Sequence, residues 1–103
     1  MAHDYFDFDA PSEGEIRTER AKARELRKSR WWQQKTALCL CHYCGRKVEF
    51  HDLTMDHLVP LARGGRSTKE NIVASCKNCN NLKKAMLPIE WQEYLERLQQ
   101  ENR

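Results

Sequence analysis

The sequence predicts a small α+β domain held together by a metal, on three observations. Two Cys-x-x-Cys pairs, Cys41 with Cys44 and Cys76 with Cys79, are separated by the 31 residues from Gly45 through Ser75. The segment spanning them reads as strand, loop, strand and then helix, and helix-forming stretches lie on both sides. With 103 residues and only three each of Phe, Tyr and Trp, one domain is expected whose apolar core alone gives thin stability. Four thiolates in a closed tetrahedron make a structural zinc site, because no position is left for water or substrate. Folding then becomes dependent on the metal.

Cysteine usage and charge narrow the setting. Five cysteines could belong to a secreted disulfide protein, but the opening residues MAHDYFDFDA carry neither a basic n-region nor an apolar run. A reducing cytoplasm is expected, where cysteine pairs at this spacing serve as metal ligands, and no apolar stretch is long enough to cross a membrane. The net charge of +3 is unevenly spread. Residues 1–14 hold Asp4, Asp7, Asp9 and Glu13 with no Lys or Arg. Residues 15–35 hold eight basic side chains against three Glu, and residues 36–85 hold eight against four acids. The expected organisation is an acidic, flexible arm over 1–14, a basic helix over 15–37 packing on the metal domain, and that domain with its C-terminal helix over 38–103. A basic body suits a polyanion such as DNA, since each neutralised phosphate releases condensed counterions.

The elements follow in order. Glu15 to about Ala37 has no Pro or Gly and is rich in helix formers, with Ser12 and Glu15 spaced as a capping box. Apolar residues are sparse there until Leu26, Trp31 and Trp32, so the helix is expected to dock by its C-terminal end. Cys39 to Cys41 and Val48 to Phe50 read as short β-prone pieces around a turn at Cys44-Gly45. Leu53 to Val59 reads as a strand ending at Pro60, Ala62 to Ser67 as a loop, and Asn71 to Ala74 as a second strand. Lys77 to Met86 reads as a helix, and Pro88 opens a last helix whose Trp91, Leu95 and Leu98 form an apolar stripe. Cys39 is expected to be a buried free thiol.

The clamp would draw Asp56, His57 and Asn80 together although they lie far apart in sequence. Taken singly, these are ordinary residues: a turn acid, a satisfied polar residue at a strand end, a helix cap; Asn71 alone is a turn former. Together they carry a resemblance. Cys41-His-Tyr-Cys44-Gly45, Thr54-Met-Asp56-His57-Leu-Val-Pro60, Gly64-Gly65, Asn71-Ile-Val and Cys76-Lys-Asn-Cys79-Asn80-Asn-Leu-Lys83 resemble the HNH endonucleases over about residues 38–86. The resemblance implies the ββα-metal (His-Me finger) fold with a structural zinc. It also implies His57 as general base, Asp56 and Asn80 as ligands of one catalytic divalent ion, and Asn71 as a brace for the loop after His57. Asn80 stands where other members place a histidine, and Lys83 and Lys84 occupy the neighbourhood of a further histidine used by some.

The chemistry explains why such residues are needed. Phosphodiester hydrolysis requires an activated water, charge relief in the transition state and stabilisation of the leaving oxygen. One neutral imidazole and one cation can meet all three needs. A carboxylate and an amide oxygen are hard ligands that suit Mg²⁺ or Mn²⁺. Neighbouring side chains on a regular strand point to opposite faces, so Asp56 and His57 need a twist to share a target. Arg63, Arg66, Lys69, Lys83 and Lys84 are candidate phosphate contacts, which position DNA without reading bases. The pair His51 and Asp52 is expected to be surface residues. The expected activity is DNA nicking or double-strand cleavage by a monomer or weak homodimer, in a bacterium or a phage-infected one. The competing expectations are a non-catalytic zinc-stabilised nucleic-acid binder and a protein-interaction module.

Overall fold

The computed structural model describes residues 10–101. The acidic arm expected over 1–14 therefore falls largely outside the described residues. Helix α1, Glu13–Arg27, starts where the sequence places its cap: the Ser12 Oγ accepts from the Glu15 amide at 3.1 Å and the Glu15 carboxylate accepts from the Ser12 amide at 2.9 Å. Glu13 and Glu15 in its first turn and Arg24 and Arg27 in its last complement the helix dipole.

The unbroken helix expected over 15–37 is divided. α1 ends at Arg27 and α2 runs Arg30–Ala37. Ser29 makes the break: its hydroxyl donates to the Leu26 carbonyl at 2.5 Å, closing α1, and accepts from the Trp32 amide at 3.3 Å, opening α2. A serine hydroxyl can compete with the helix ladder in this way, and no Gly or Pro announces it.

The break turns Trp32 inward. It packs with Leu53, Ile72 and Ala74, and Leu26, Trp31, Val48 and Met55 surround them. Leu53 and the other two belong to an antiparallel pair, β1 (Leu53–His57) and β2 (Ile72–Cys76), in register from Leu53 opposite Cys76 to His57 opposite Ile72. Replacing Trp32 with alanine is expected to cost about 3–5 kcal/mol. Urea unfolding of the metal-loaded protein checks this.

Helix α3, Lys77–Lys83, follows β2 directly, completing the strand, strand, helix order. It ends before the expected Met86 because Lys84 takes a left-handed φ of 48°. Helix α4, Pro88–Glu101, begins at the proline as expected and buries Trp91. Trp91 covers a second cluster made with Cys41, Cys76 and Cys79, with Tyr43 edge-on at 5.6 Å and Tyr94 stacked at 5.7 Å. The first cysteine pair lies on a narrow turn: Leu40 bridges Lys47, the Cys41 amide donates to the Arg46 carbonyl, and Gly45 has φ 69°. Instead of a strand through Phe50, Phe50–Asp52 forms a 3₁₀ turn leading into β1. Two apolar clusters, one on each side of Val48, thus fix the β hairpin and α3 in one frame. Among the described residues no helix is long and apolar enough to cross a membrane.

Candidate active site and metal centre

The four cysteines converge. The Sγ atoms of Cys41, Cys44, Cys76 and Cys79 lie within 4.8 Å of one another, with Cys44 exposed and the other three buried. A tetrahedron with metal–sulfur bonds of about 2.3 Å has edges of about 3.8 Å, so the group can hold a metal such as zinc with little movement. Cys76 also caps α3, its Sγ accepting from the Cys79 amide at 3.4 Å. Burial pushes the Cys41 thiol up, but backbone hydrogen bonds at Cys44, Cys76 and Tyr43 outweigh it and bring the group down to about 6. Cys79 moves the opposite way, raised by burial and by its sulfur neighbours. Four thiolates so close need a cation between them. Cys39 remains outside the group, half-buried, with φ 55°.

Asp56 is buried on β1, and its Oδ2 is held from two sides. The Tyr43 hydroxyl donates to it, and the Lys83 ammonium lies 3.3 Å away. Burial and then the bond to Asp56 raise the Tyr43 phenol, so it stays a protonated donor. Lys83 is 0% exposed and also donates to the His57 carbonyl at 3.1 Å. A lysine enclosed in this way braces Asp56 and the end of β1; it is not the surface phosphate contact expected from the sequence. Asn80 sits three residues before Lys83 on α3, half-buried, on the same helix face. The hydrogen bonds to Asp56 fall on Oδ2, and the Asn80 side chain makes none among the described residues. Both therefore keep oxygen lone pairs for a cation.

His57 closes β1 as its last residue, directly after Asp56, whose charge its imidazole feels. Its Nε2 lies 2.9 Å from the Ser67 Oγ. The Ser67 hydroxyl is itself 2.6 Å from the Glu19 backbone carbonyl, an oxygen that can only accept, so its single proton is committed there. The His57 contact must then be Nε2–H donating to Ser67, which leaves Nδ1 with the free lone pair. Burial, the largest effect, holds the imidazole below its usual range; Asp56 and Glu19 oppose this, and Lys83 and Arg27 add to it. At neutral pH the ring is an uncharged base.

The loop after His57 is pinned by Asn71. Its Oδ1 accepts from the Val59 amide at 2.9 Å, and its Nδ2 donates to the Val59 and Arg66 carbonyls at 3.1 and 2.8 Å. Gly65 is required here by space rather than by φ: a Cβ would fall 1.7 Å from the Val59 carbonyl oxygen. Gly65→Ala is expected to cost about 1–3 kcal/mol and to displace the backbone beyond His57. A lower melting temperature together with slower DNA cleavage is the expected result.

The basic side chains divide by engagement. Arg63 grips Glu90 with two nitrogens, at 3.1 and 3.3 Å, and donates to the Ala85 carbonyl, tying the loop to α4. The Arg63 guanidinium and the Leu87 amide hold the Glu90 carboxyl below the usual range. Arg66, Lys69 and Lys84 are exposed. His51 and Asp52 form an exposed pair at 3.7 Å. Tyr43, Ser67 and Glu19 escaped the sequence reading. Tyr43 lies inside the first cysteine pair, where its position was the only available signal; Glu19 and Ser67 meet across 48 residues and gave none.

Comparison with known proteins places the central segment in a family. Residues 41–85 match the HNH endonuclease family model. The chain is 48% identical over 46 residues to the CRISPR-associated endonuclease Cas9 of Corynebacterium diphtheriae, and 41% identical over 46 residues to that of Actinomyces naeslundii. Each match covers 44% of this chain and 4% of the relative. The Type IV methyl-directed restriction enzyme EcoKMcrA of Escherichia coli is 33% identical over 55 residues, covering 48% of this chain and 20% of that protein. The chain thus aligns with a small part of each relative's length. Residues 41–85, the segment the family model matches, hold both cysteine pairs, the Asp56–His57 step and α3: this chain carries an HNH endonuclease domain at residues 41–85.

Proposed function

We propose that the chain is a metal-dependent DNA endonuclease that hydrolyses phosphodiester bonds by a one-metal mechanism. The observation that carries the reading is the pairing of two adjacent β1 residues with complementary roles. Asp56 is held with free ligand capacity against the α3 face that bears Asn80, and His57 is held neutral with Nδ1 unengaged. A water beside His57 passes a proton to Nδ1 as its oxygen attacks phosphorus, and the 3′ oxygen leaves, giving 5′-phosphate and 3′-hydroxyl ends. Proton acceptance by a positioned histidine contributes about 10²–10⁴ in rate. Bound by Asp56 and Asn80, Mg²⁺ or Mn²⁺ would neutralise charge on the phosphate and on the departing oxygen. Asn71 keeps the segment after His57 fixed, and Lys83 fixes the carboxylate against the strand end.

Zinc in the four-cysteine group has a structural part in this reading. Arg66, Lys69 and Lys84 supply the phosphate contacts; Arg63 contributes less, being shared with Glu90, and Lys83 is withdrawn from the set by its burial. These contacts follow the backbone and give little sequence preference. In this reading the chain acts as a monomer or weak homodimer. The bacterial relatives and the gathered thiols support a reducing bacterial cytoplasm as the setting.

A titration of Mg²⁺ and Mn²⁺ on supercoiled plasmid tests the proposal. Metal-dependent conversion to open-circle or linear DNA is the expected result. Salt-sensitive binding with intact plasmid at every metal concentration would make the chain a zinc-stabilised nucleic-acid binder instead.

A further inference from the structure

The catalytic candidates all lie between Cys41 and Lys83, yet the His57 ring is held by a chain of contacts that begins outside that segment, on α1. Glu19 is buried in the middle of α1 and meets Ser67 twice. Its carboxylate Oε1 accepts from the Ser67 amide at 2.7 Å, and its backbone carbonyl accepts from the Ser67 hydroxyl at 2.6 Å. Its second carboxylate oxygen is tied to Lys22 at 3.0 Å. These bonds fix both the place and the orientation of the Ser67 hydroxyl, and that hydroxyl faces the His57 Nε2 at 2.9 Å.

We propose that Glu19 is a positioning residue of the active site: acting through Ser67, it holds His57 in the Nε2–H form so that Nδ1 faces the attacking water. This deepens the nuclease reading and rests on it. A neutral imidazole free to rotate or to exchange tautomers spends part of its time with the wrong nitrogen protonated, and each such state is inactive. A single acceptor placed at Nε2 removes that loss. An acceptor whose own proton is already engaged is the arrangement that enforces it. Ser67 alone lies on a loop; the two bonds from a rigid helix make it a fixed point. α1 therefore contributes to the active site through the two Glu19–Ser67 contacts.

The test compares wild type, Glu19→Ala, Glu19→Gln and Ser67→Ala, all zinc-loaded. Plasmid cleavage with Mn²⁺ gives kcat and KM, and ¹⁵N NMR of the imidazole reports the tautomer. Glu19→Ala keeps the backbone carbonyl that accepts from the Ser67 hydroxyl but loses the carboxylate that holds the Ser67 amide; with the loop released from α1, it is expected to lower kcat about tenfold with KM unchanged and to convert one Nε2–H tautomer into a mixture. Glu19→Gln, whose amide oxygen still accepts from the Ser67 amide, is expected to restore both. Ser67→Ala keeps the amide bond to Glu19, and therefore the docking of α1, but loses the hydroxyl and is expected to show the same tautomer mixture. Wild-type kcat and an unchanged imidazole spectrum in Glu19→Ala would overturn the proposal while leaving the nuclease reading intact. Should wild type fail to cut DNA, that reading fails and the spectrum alone decides: a single tautomer dispersed by Glu19→Ala supports the brace, and identical spectra refute it.

Discussion

Replacing His57 with alanine is expected to lower DNA cleavage by about 10²–10⁴-fold, the range a positioned general base contributes, while zinc content and DNA affinity stay at wild-type values. The substitution removes a half-buried ring whose recorded side-chain bond is to Ser67, so the fold loses little. The Lys83 bond to position 57 survives because it goes to the backbone carbonyl. Asp56 keeps both of its partners, Tyr43 and Lys83. Binding and structure are thereby separated from chemistry, and gel-shift and plasmid assays on the same preparation read them independently. Cleavage at the wild-type rate would refute the assignment of His57 as base.

Removing the cysteine-bound metal is expected to unfold residues 39–95 rather than merely to slow the enzyme. Structural zinc binds zinc-finger peptides with an apparent ~10–16 kcal/mol, comparable to the entire ~5–15 kcal/mol stability of an ordinary domain. Here three of the cysteines also make up most of one apolar cluster: Cys41, Cys76 and Cys79 pack with Trp91, and Cys76 caps α3. Without a cation the close sulfurs must take up protons or separate, and either change disturbs Trp91. Cys44 is exposed and offers a chelator its point of entry. Loss of the helical circular dichroism signal, a red shift of tryptophan emission and loss of cleavage should coincide on chelation, and Cys76→Ser should reproduce them. A chelated protein that still melts cooperatively at the same temperature would contradict the structural role.

What the sequence disclosed was what local rules govern. The Ser12–Glu15 cap, the Pro88 start and Trp91 on its stripe depend on neighbours within a turn or two, and all three are found where expected. The cysteine spacing announced a metal group, and the sulfurs do gather. The strand, strand, helix order around Asp56 and His57 was legible from alternation and from the breakers between segments. The rest depended on a single side chain's choice of partner or on partners far along the chain. Ser29 divides α1 from α2 through one hydroxyl, in a run whose composition is uniformly helical. Lys83 resembles any solvated lysine until the fold buries it between Asp56 and the His57 carbonyl. Glu19 resembles one of many helix-surface acids, and only tertiary packing sets it against Ser67. For Lys83 and Glu19 charge suggested the surface, and hydrogen bonding to a distant group reversed that.

The central claim, that Asp56 and Asn80 share one divalent cation beside His57, is tested most directly by adding Mn²⁺ to zinc-loaded, ¹⁵N-labelled protein and following paramagnetic line broadening. The account predicts that the Asn80 side-chain amide, the His57 ring and the backbone amides around Asp56 broaden first and together. Unchanged lines at those three places, with broadening confined to exposed acids such as Glu49 or Glu70, would contradict it.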